Sequence, residues 1–165
     1  MHVGHSSGGG KKFEVRKLEI SDKSKGFIEL LQQLTVCDSV SDKEFEERFH
    51  EISCYGNDHI VYVIEDDSSG KIVATGSVFV EKKFIRNCGK VGHIEDVVVD
   101  SSARGLQLGK KIVEFLVGHA RSMGCYKVIL DCSIENRVSR SARLYSGRRR
   151  HQQSGFTTGA FTVDS

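Results

Sequence analysis

The sequence contains no proline and no tryptophan. With 38% hydrophobic and 28% charged residues, it has the composition of a folded domain rather than that of a disordered segment. It also has no apolar run that approaches the roughly 20 residues of a membrane-spanning helix, so we expect no transmembrane segment. The 165 residues predict one domain that is large enough to bury a hydrophobic core.

The spacings that mark metal sites and disulfide frameworks are also missing. The five cysteines are an odd number without a Cys-x-x-Cys pair, and the seven histidines form no His-x-x-x-His pair. We therefore expect reduced thiols, no metal and a cytoplasmic location. The first ten residues have no apolar core of the kind a secretory signal needs, and their glycines predict a flexible leader over residues 1–10.

Positive charge is concentrated near the C-terminus. Six arginines and no acid occur between Arg137 and Arg150, whereas residues 1–136 carry a slight excess of acids. A basic segment of this kind can bind nucleic acid or an anionic membrane. Only Tyr145 stands among these arginines and no folded platform is predicted there, so we expect no specific recognition of nucleic acid.

Strand and helix patterns alternate through the rest of the chain. Strand patterns occur at residues 13–18, 60–65, 72–81, 91–100 and 127–132. Two helices are predicted between the first two strands, the second begun by a capping box from Ser41 to Glu44, and a long helix is predicted from Leu108 to about Gly124. The second and third strands predict a hairpin. The order βααβββαβ predicts an α/β fold whose mixed sheet is antiparallel first and ends in a parallel return.

A glycine-bearing loop joins the strand at 91–100 to the long helix. Gly105 and Gly109 let the backbone approach a ligand, and the free N–H groups at the positive end of the helix favour an anion. A Walker A loop is excluded because the glycines are one residue too close and Lys111 replaces its hydroxyl residue. The Gly-x-Gly-x-x-Gly dinucleotide loop is absent. The sequence therefore predicts an anion-binding loop of another kind.

This loop, Arg104-Gly105-Leu106-Gln107-Leu108-Gly109, resembles the Arg-x-x-Gly-x-Gly/Ala loop of the GCN5-related N-acetyltransferases (GNAT). The preceding string His-Ile-Glu-Asp-Val-Val-Val-Asp and the later string Gly-Cys-Tyr-Lys-Val-Ile-Leu-Asp-Cys resemble one branch, the glucosamine 6-phosphate N-acetyltransferases. The resemblance covers about residues 13–136. It implies a GNAT fold in which the sheet splays open after the central strand. It also implies acetyl transfer from acetyl-CoA to the amine of D-glucosamine 6-phosphate by direct attack, which feeds UDP-N-acetylglucosamine synthesis.

The resemblance also implies roles for individual residues. Acetyl-CoA is expected to bind Val97, Val98, Val99, Arg104, Gly105, Leu106, Gln107, Leu108 and Gly109. The family usually has Lys in place of Leu106, so we expect modestly weaker phosphate binding. The amino sugar phosphate is expected to bind Thr35, Lys82, Lys83, Phe84, Ile85, Arg86, Glu95 and Asp96. Glu95, Asp96 and Asp131 are expected to act on the amine.

Taken from the residues alone, a solvated surface is the commoner explanation for an acidic pair and for a short basic run. Glu95 and Asp96 lie beside a valine run on a central strand, however, where unpaired charge is costly. The basic segment from Lys82 to Arg86 suits a phosphorylated substrate. It argues against another acceptor, such as a protein N-terminus or a lysine. A catalytically dead protein that binds acetyl-CoA or nucleic acid is the third alternative.

The resemblance ends after Asn136. The family continues with a Phe-Tyr pair, but Ser139 and Arg140 stand at that place, and Tyr145 comes later. In the family this tyrosine assists the departing thiolate, and a terminal strand helps to build a dimer whose sites draw on both chains. We therefore distinguish a leader at 1–10, an acetyltransferase domain at 11–136 and a divergent segment at 137–165.

This divergent C-terminus affects what we expect of the whole protein. We expect a homodimer only if the C-terminal segment permits one. If the terminal strand of the family is lost, we expect an exposed sheet edge. We also expect impaired turnover, while acetyl-CoA binding persists. A peripheral position at the endoplasmic reticulum surface is the alternative to a free cytoplasmic protein.

Overall fold

The computed structural model describes residues 12–133 and 158–164, with side-chain surroundings for residues 12–130. Its six strands are β1 (Val15–Lys17), β2 (His59–Asp66), β3 (Lys71–Lys82), β4 (Lys90–Val99), β5 (Cys125–Ser133) and β6 (Thr158–Asp164). They form one sheet in the order β1-β2-β3-β4-β5-β6. Neighbouring strands are antiparallel except β4 and β5, which are parallel. The predicted α/β fold and the order of its elements are confirmed.

The helices are α1 (Phe27–Leu31), α2 (Asp42–Ser53), α3 (Ile85–Cys88) and α4 (Leu108–Ser122), with 3-10 turns at Ile20–Lys25, Gly56–Asp58 and Ser101–Ala103. The capping box is present at α2, because Ser41 Oγ accepts the Glu44 N–H and the Glu44 carboxylate accepts the Ser41 N–H. The first predicted helix is interrupted at Gly26, whose φ is 86°. No helix in the described ranges is long and apolar enough to cross a membrane.

Helices cover the two faces of the sheet unequally. The long helix α4 packs along one face and buries Ile112, Leu116 and Ala120 completely. The short helix α1 packs on the other face, where Phe27 and Leu30 belong to a second core cluster with residues of α2, β2, β3 and β4. The periodicity of apolar residues therefore directs α4 and α1 to opposite sides of the strand that carries the candidate site.

The edge of β5 is covered by β6, from Lys127↔Asp164 to Ser133↔Thr158. The expectation of an exposed edge at β5 was therefore wrong. Residues 155–165 have only weak strand character of their own, and the edge of β5, whose backbone groups require partners, determines the pairing of Thr158–Asp164 instead. Residues 1–11, 134–157 and 165 lie outside the described ranges, and with them the leader and the positions of the missing Phe-Tyr pair.

Candidate active site

The parallel pairing of β4 with β5 stops before either strand ends. It runs from Lys90↔Cys125 to Ile94↔Leu130. Beyond this last pair, β4 stays paired with β3 as far as Val99, and β5 stays paired with β6 as far as Ser133. The strands therefore part, and the backbone of residues 95–99 presents an edge to the gap. The predicted splayed sheet is confirmed.

A β-bulge lies in β4 where the gap opens. The register passes from Ser77↔Glu95 directly to Thr75↔Val98. Gly76 alone therefore stands opposite both Asp96 and Val97, which is the two-against-one arrangement of a bulge. Asp96 has a φ of 54°, in the left-handed region that Asp tolerates better than most residues. The bulge interrupts the alternation of side chains along β4, so that the neighbouring residues Glu95 and Asp96 are both exposed.

Two carboxylates, those of Glu95 and Asp96, lie exposed beside the gap. The costly buried setting expected for them is therefore not found, because the bulge turns both side chains outward. Asp131 follows Leu130 on β5, across the gap. The structure describes its backbone but not the surroundings of its side chain. The three acids predicted to act on an amine are thus carried by the two strands that part.

Val97 and Val98 point into opposite cores. Val97 packs in the α4 cluster and is 6% exposed, whereas Val98 packs in the α1 cluster and is 5% exposed. Val99 packs against the α4 cluster as well. Val97 and Val98 can therefore offer a ligand only their backbone groups, whereas Val99 is partly buried.

The loop after β4 exposes Arg104, Gly105, Leu106 and Gln107 before Leu108 returns to the core. Gly105 has a φ of 90° and Gln107 a φ of 58°. Gln107 occupies the N-cap position of α4, and among the described residues its side chain makes no capping hydrogen bond. The first N–H groups of α4, those of Leu108 and Gly109 included, therefore remain available to an anionic ligand.

The basic segment, Lys82 to Arg86, lies at the end of β3 and β4 that is far from Glu95 and Asp96. Lys82 pairs with Lys90, whereas Ser77, five positions earlier on β3, pairs with Glu95. At about 3.3 Å per residue, the two places are about 16 Å apart along the strand. This exceeds the length of an amino sugar phosphate. The backbone of one chain therefore places the basic segment and the acids at separate ends of β3 and β4.

The lysines of this segment also have partners within the chain. Lys82 Nζ lies 2.5 Å from the Asp58 carboxylate, and Lys83 Nζ lies 2.7 Å from Glu81, which His93 Nε2 contacts at 2.8 Å. Hydrogen bonds from Lys83 and His93 lower the pKa of Glu81. A phosphate that binds here would have to compete with these carboxylates.

The rest of the basic segment forms a left-handed turn. Arg86 and Asn87 in α3 have φ values of 55° and 54°, and the Arg86 guanidinium lies 5.3 Å from the Tyr126 ring centroid. Phe84 and Ile85 are 95% and 65% exposed. The segment thus offers apolar surface together with its charge.

Thr35 is exposed in the turn that follows α1, and its N–H donates to the Leu31 carbonyl at 3.3 Å. Nearby, Gln33 Nε2 donates to the Asp100 carboxylate at 2.8 Å, and Gln33 Oε1 accepts the Ser101 N–H at 3.0 Å. This glutamine joins the Thr35 turn to the root of the anion-binding loop. Sequence reasoning missed it, because a single glutamine in a turn carries no motif.

An aromatic cluster beside Asp96 was also missed. The rings of Tyr55, His59 and Phe79 contact one another with centroids 5.8 to 6.3 Å apart. Burial lowers the pKa of His59, and the charge of Asp96 partly opposes that shift. His59 therefore favours its neutral form near an acid that is predicted to be functional. Within the described residues, no group of three or more His, Cys, Asp and Glu could hold a metal ion.

Comparison with known proteins agrees with this geometry. The model of the acetyltransferase (GNAT) family matches residues 25–146. The chain therefore belongs to the GNAT acetyltransferase family, whose members use acetyl-CoA. Its relatives include the glucosamine 6-phosphate N-acetyltransferase of Arabidopsis thaliana, which is 72% identical over 126 residues, 76% of this chain and 85% of that protein.

Solved structures agree as well. The crystal structure of glucosamine-6-phosphate N-acetyltransferase from Arabidopsis thaliana matches with a TM-score of 0.80 and 63% identity, over 89% of this chain and 99% of that one. A Trypanosoma brucei acetyltransferase matches with a TM-score of 0.72 and 38% identity, over 87% of this chain and 97% of that one. The fold of this chain is thus shared with these two structures over most of its length.

Proposed function

We propose that this chain transfers the acetyl group of acetyl-CoA to the amine of D-glucosamine 6-phosphate and so forms N-acetyl-D-glucosamine 6-phosphate. The observation that carries the proposal is the gap between β4 and β5, flanked by Glu95 and Asp96, in a chain 72% identical to an enzyme of that name. The product feeds UDP-N-acetylglucosamine synthesis, and we place the reaction in the cytoplasm.

The gap and its loop fit acetyl-CoA. The pantetheine arm is peptide-like, and the backbone of residues 96–99, where β4 is no longer paired with β5, can pair with it as it would with a strand. The pyrophosphate then binds the loop from Arg104 to Gly109. There the first N–H groups of α4, which the Gln107 side chain does not cap, favour negative charge. Acetyl-CoA supplies the activated thioester, while the protein supplies the edge and the anion site.

The three acids act on the amine of glucosamine 6-phosphate. Attack forms a C–N bond to the acetyl carbon and breaks the C–S bond, and the amine must lose a proton. Glu95, Asp96 and Asp131 orient the amine and accept that proton, directly or through water. A backbone N–H near Val97 or Val98 stabilises the negative charge that develops on the thioester oxygen. Holding both substrates in one gap supplies much of the rate, and no cysteine nucleophile is needed.

The basic segment completes the site only in a homodimer. Lys82 lies about 16 Å along the sheet from the position opposite Glu95, and Lys82 and Lys83 pair with Asp58 and Glu81 of their own chain. We therefore assign the phosphate of the sugar to the basic segment of a second copy rather than to that of the same chain. The Lys82–Arg86 segment of a second copy would supply this charge, with Thr35 from the first. The exposed Phe84 and Ile85 provide apolar surface for such a contact.

Release of free CoA in the presence of acetyl-CoA and candidate amines tests the proposal. We expect turnover with glucosamine 6-phosphate, much less with glucosamine, and none with a peptide N-terminus or lysine. Efficient acetylation of a peptide, or equal rates with glucosamine, would contradict the proposed substrate.

The divergent C-terminus sets a second comparison. The proposed function includes slow turnover, since Ser139 and Arg140 replace the Phe-Tyr pair of the family. A chimera that carries the family terminus after residue 136 should turn over faster while binding CoA with similar affinity. Equal turnover of the chimera and the unaltered chain would show that the divergent C-terminus does not impair catalysis.

A further inference from the structure

One glutamine side chain bridges two segments that are far apart in sequence. Gln33 lies in the turn that follows α1, and both ends of its amide are used by the root of the loop that begins after β4. The nitrogen donates to the Asp100 carboxylate at 2.8 Å, and the oxygen accepts the Ser101 N–H at 3.0 Å. A two-point contact of this kind fixes direction as well as distance.

Asp100 is the residue from which the anion-binding loop departs. Its N–H donates to the Val73 carbonyl at 2.8 Å, and its carboxylate accepts the Ser102 N–H at 2.8 Å, which caps the following 3-10 turn. Hydrogen bonding chiefly from Ser102, with a smaller part from Gln33, lowers the pKa of Asp100. The charged carboxylate therefore joins the sheet, the loop and the turn after α1.

The other end of the bridge leads to the segment proposed for the amino sugar phosphate. The Gln33 N–H donates to the carbonyl of Leu30, which is 1% exposed and belongs to the α1 core cluster. Two residues beyond Gln33, Thr35 is exposed, and Val36 is 90% exposed. Gln33 thus lies between α1, which is packed in the core, and the exposed residues proposed to bind the amino sugar phosphate.

We propose that Gln33 is a positioning residue that couples binding of the amino sugar phosphate at the Thr35 turn to binding of acetyl-CoA at the loop after Asp100. Ordering either segment holds the other in place through the glutamine bridge, so each substrate tightens the binding of the other. By linkage, the two tightening factors are equal. This inference rests on the proposed function and identifies a residue that communicates between its two subsites.

Three variants separate the bridge from ordinary packing. Gln33→Ala removes both hydrogen bonds. Gln33→Glu keeps the acceptor for Ser101 but sets a carboxylate against Asp100. Gln32→Ala is the matched control, because Gln32 Nε2 donates to the Cys37 carbonyl at 2.9 Å and so stabilises the same segment without touching the loop.

The measurement is calorimetric titration of CoA, with and without saturating glucosamine 6-phosphate, a pair that cannot react. We expect glucosamine 6-phosphate to tighten CoA binding to the unaltered chain and to Gln32→Ala. Gln33→Ala should weaken CoA binding about tenfold in the presence of the sugar, as expected for two lost hydrogen bonds. Gln33→Glu should weaken it at least as much, because it loses one hydrogen bond and sets its carboxylate against that of Asp100, and both variants should lose the tightening. Their KM for acetyl-CoA should rise while kcat at saturation changes less than about threefold.

Two results would overturn the inference alone: unchanged coupling in Gln33→Ala, or an equal loss in Gln32→Ala, which would indicate general loosening of the segment. Failure of the unaltered chain to bind CoA would instead overturn the proposed function and the inference with it. Thermal unfolding of all variants, expected to agree within about 3 °C, shows that the comparison concerns folded protein.

Discussion

Gly92 on β4 lies directly against Ala120 on α4, so that a Cβ atom at Gly92 would stand 2.7 Å from the Ala120 Cβ. Real Cβ atoms do not approach one another this closely, and the methyl of alanine has no rotamer by which to move away. The absence of a side chain at Gly92 therefore sets how closely the long helix sits on the strand that carries the bulge.

Gly92→Ala should destabilise the fold by about 1–3 kcal/mol, the usual cost of overpacking a core. The matched control is Gly118→Ala on the same helix, where an added Cβ meets nothing within 4 Å. There the substitution should stabilise by about 0.5–1 kcal/mol through helix propensity. Urea unfolding of both variants measures the difference, and equal stabilities would refute this account of the helix–strand contact.

Asp96→Asn should abolish most activity without loss of stability. Asparagine tolerates the left-handed backbone of the bulge, so the variant removes the charge alone, and turnover should fall by about 10²-fold or more. The pKa of His59 should fall further, because the charge of Asp96 raises it. Enzyme assays and NMR titration of His59 check both effects.

Asp96→Gly separates backbone strain from charge. It should match Asp96→Asn in activity but exceed it in stability, because glycine adopts a φ of 54° without a steric penalty. Full activity in either variant would remove Asp96 from the proposed chemistry.

Asp22 should make stability depend on acid pH. It is fully buried, and its carboxylate accepts two hydrogen bonds from Arg16 and one from the Glu19 N–H, each of 2.8 Å. Burial alone would raise the pKa of Asp22, but these hydrogen bonds outweigh it and hold the pKa below its usual value. The contribution to stability is therefore complete above about pH 4 and is lost as pH falls through the lowered folded pKa.

Asp22→Asn should lower the free energy of unfolding by about 3 kcal/mol at neutral pH. It should also weaken the dependence of that free energy on pH at acid pH, which we call the acid limb of the stability curve. Glu47→Gln is the control, since its exposed pair with Lys43 at 3.8 Å should contribute less than about 0.5 kcal/mol. Denaturant unfolding from pH 7 to pH 2 gives both quantities. An unchanged acid limb in Asp22→Asn would contradict the assignment.

Leu106→Lys should tighten acetyl-CoA binding. The leucine is 53% exposed, so the new ammonium can reach a phosphate in the loop at little cost to folding. We expect the KM for acetyl-CoA to fall about threefold, with a steeper dependence on salt. Ile20→Lys, at a position 43% exposed, adds the same charge elsewhere and should leave the KM unchanged. An equal effect of both would indicate net charge rather than a local contact.

Local patterns in the sequence were enough for the hairpin, the capping box at Ser41 and the loop from Arg104 to Gly109, because each depends on residues close together in the chain. The bulge at Asp96 could not be predicted in this way, since it results from the register of β4 against Gly76. The bridge from Gln33 to Asp100 likewise joins positions brought together only by the fold. Strand β6 was missed because its partner, rather than its own composition, determines its structure.

The open edge of β4 has a consequence for solubility. Past Ile94, this strand is paired with β3 but no longer with β5 within the described part of the chain, and such edges attract strands of other molecules. The left-handed kink at Asp96 and the exposed charges of Glu95 and Asp96 make the edge a poor template for that pairing. The residues proposed for chemistry would thus also protect the protein from aggregation while the gap is empty. In light scattering, a chain with both acids changed to alanine should form assemblies larger than the proposed homodimer, and CoA should disperse them.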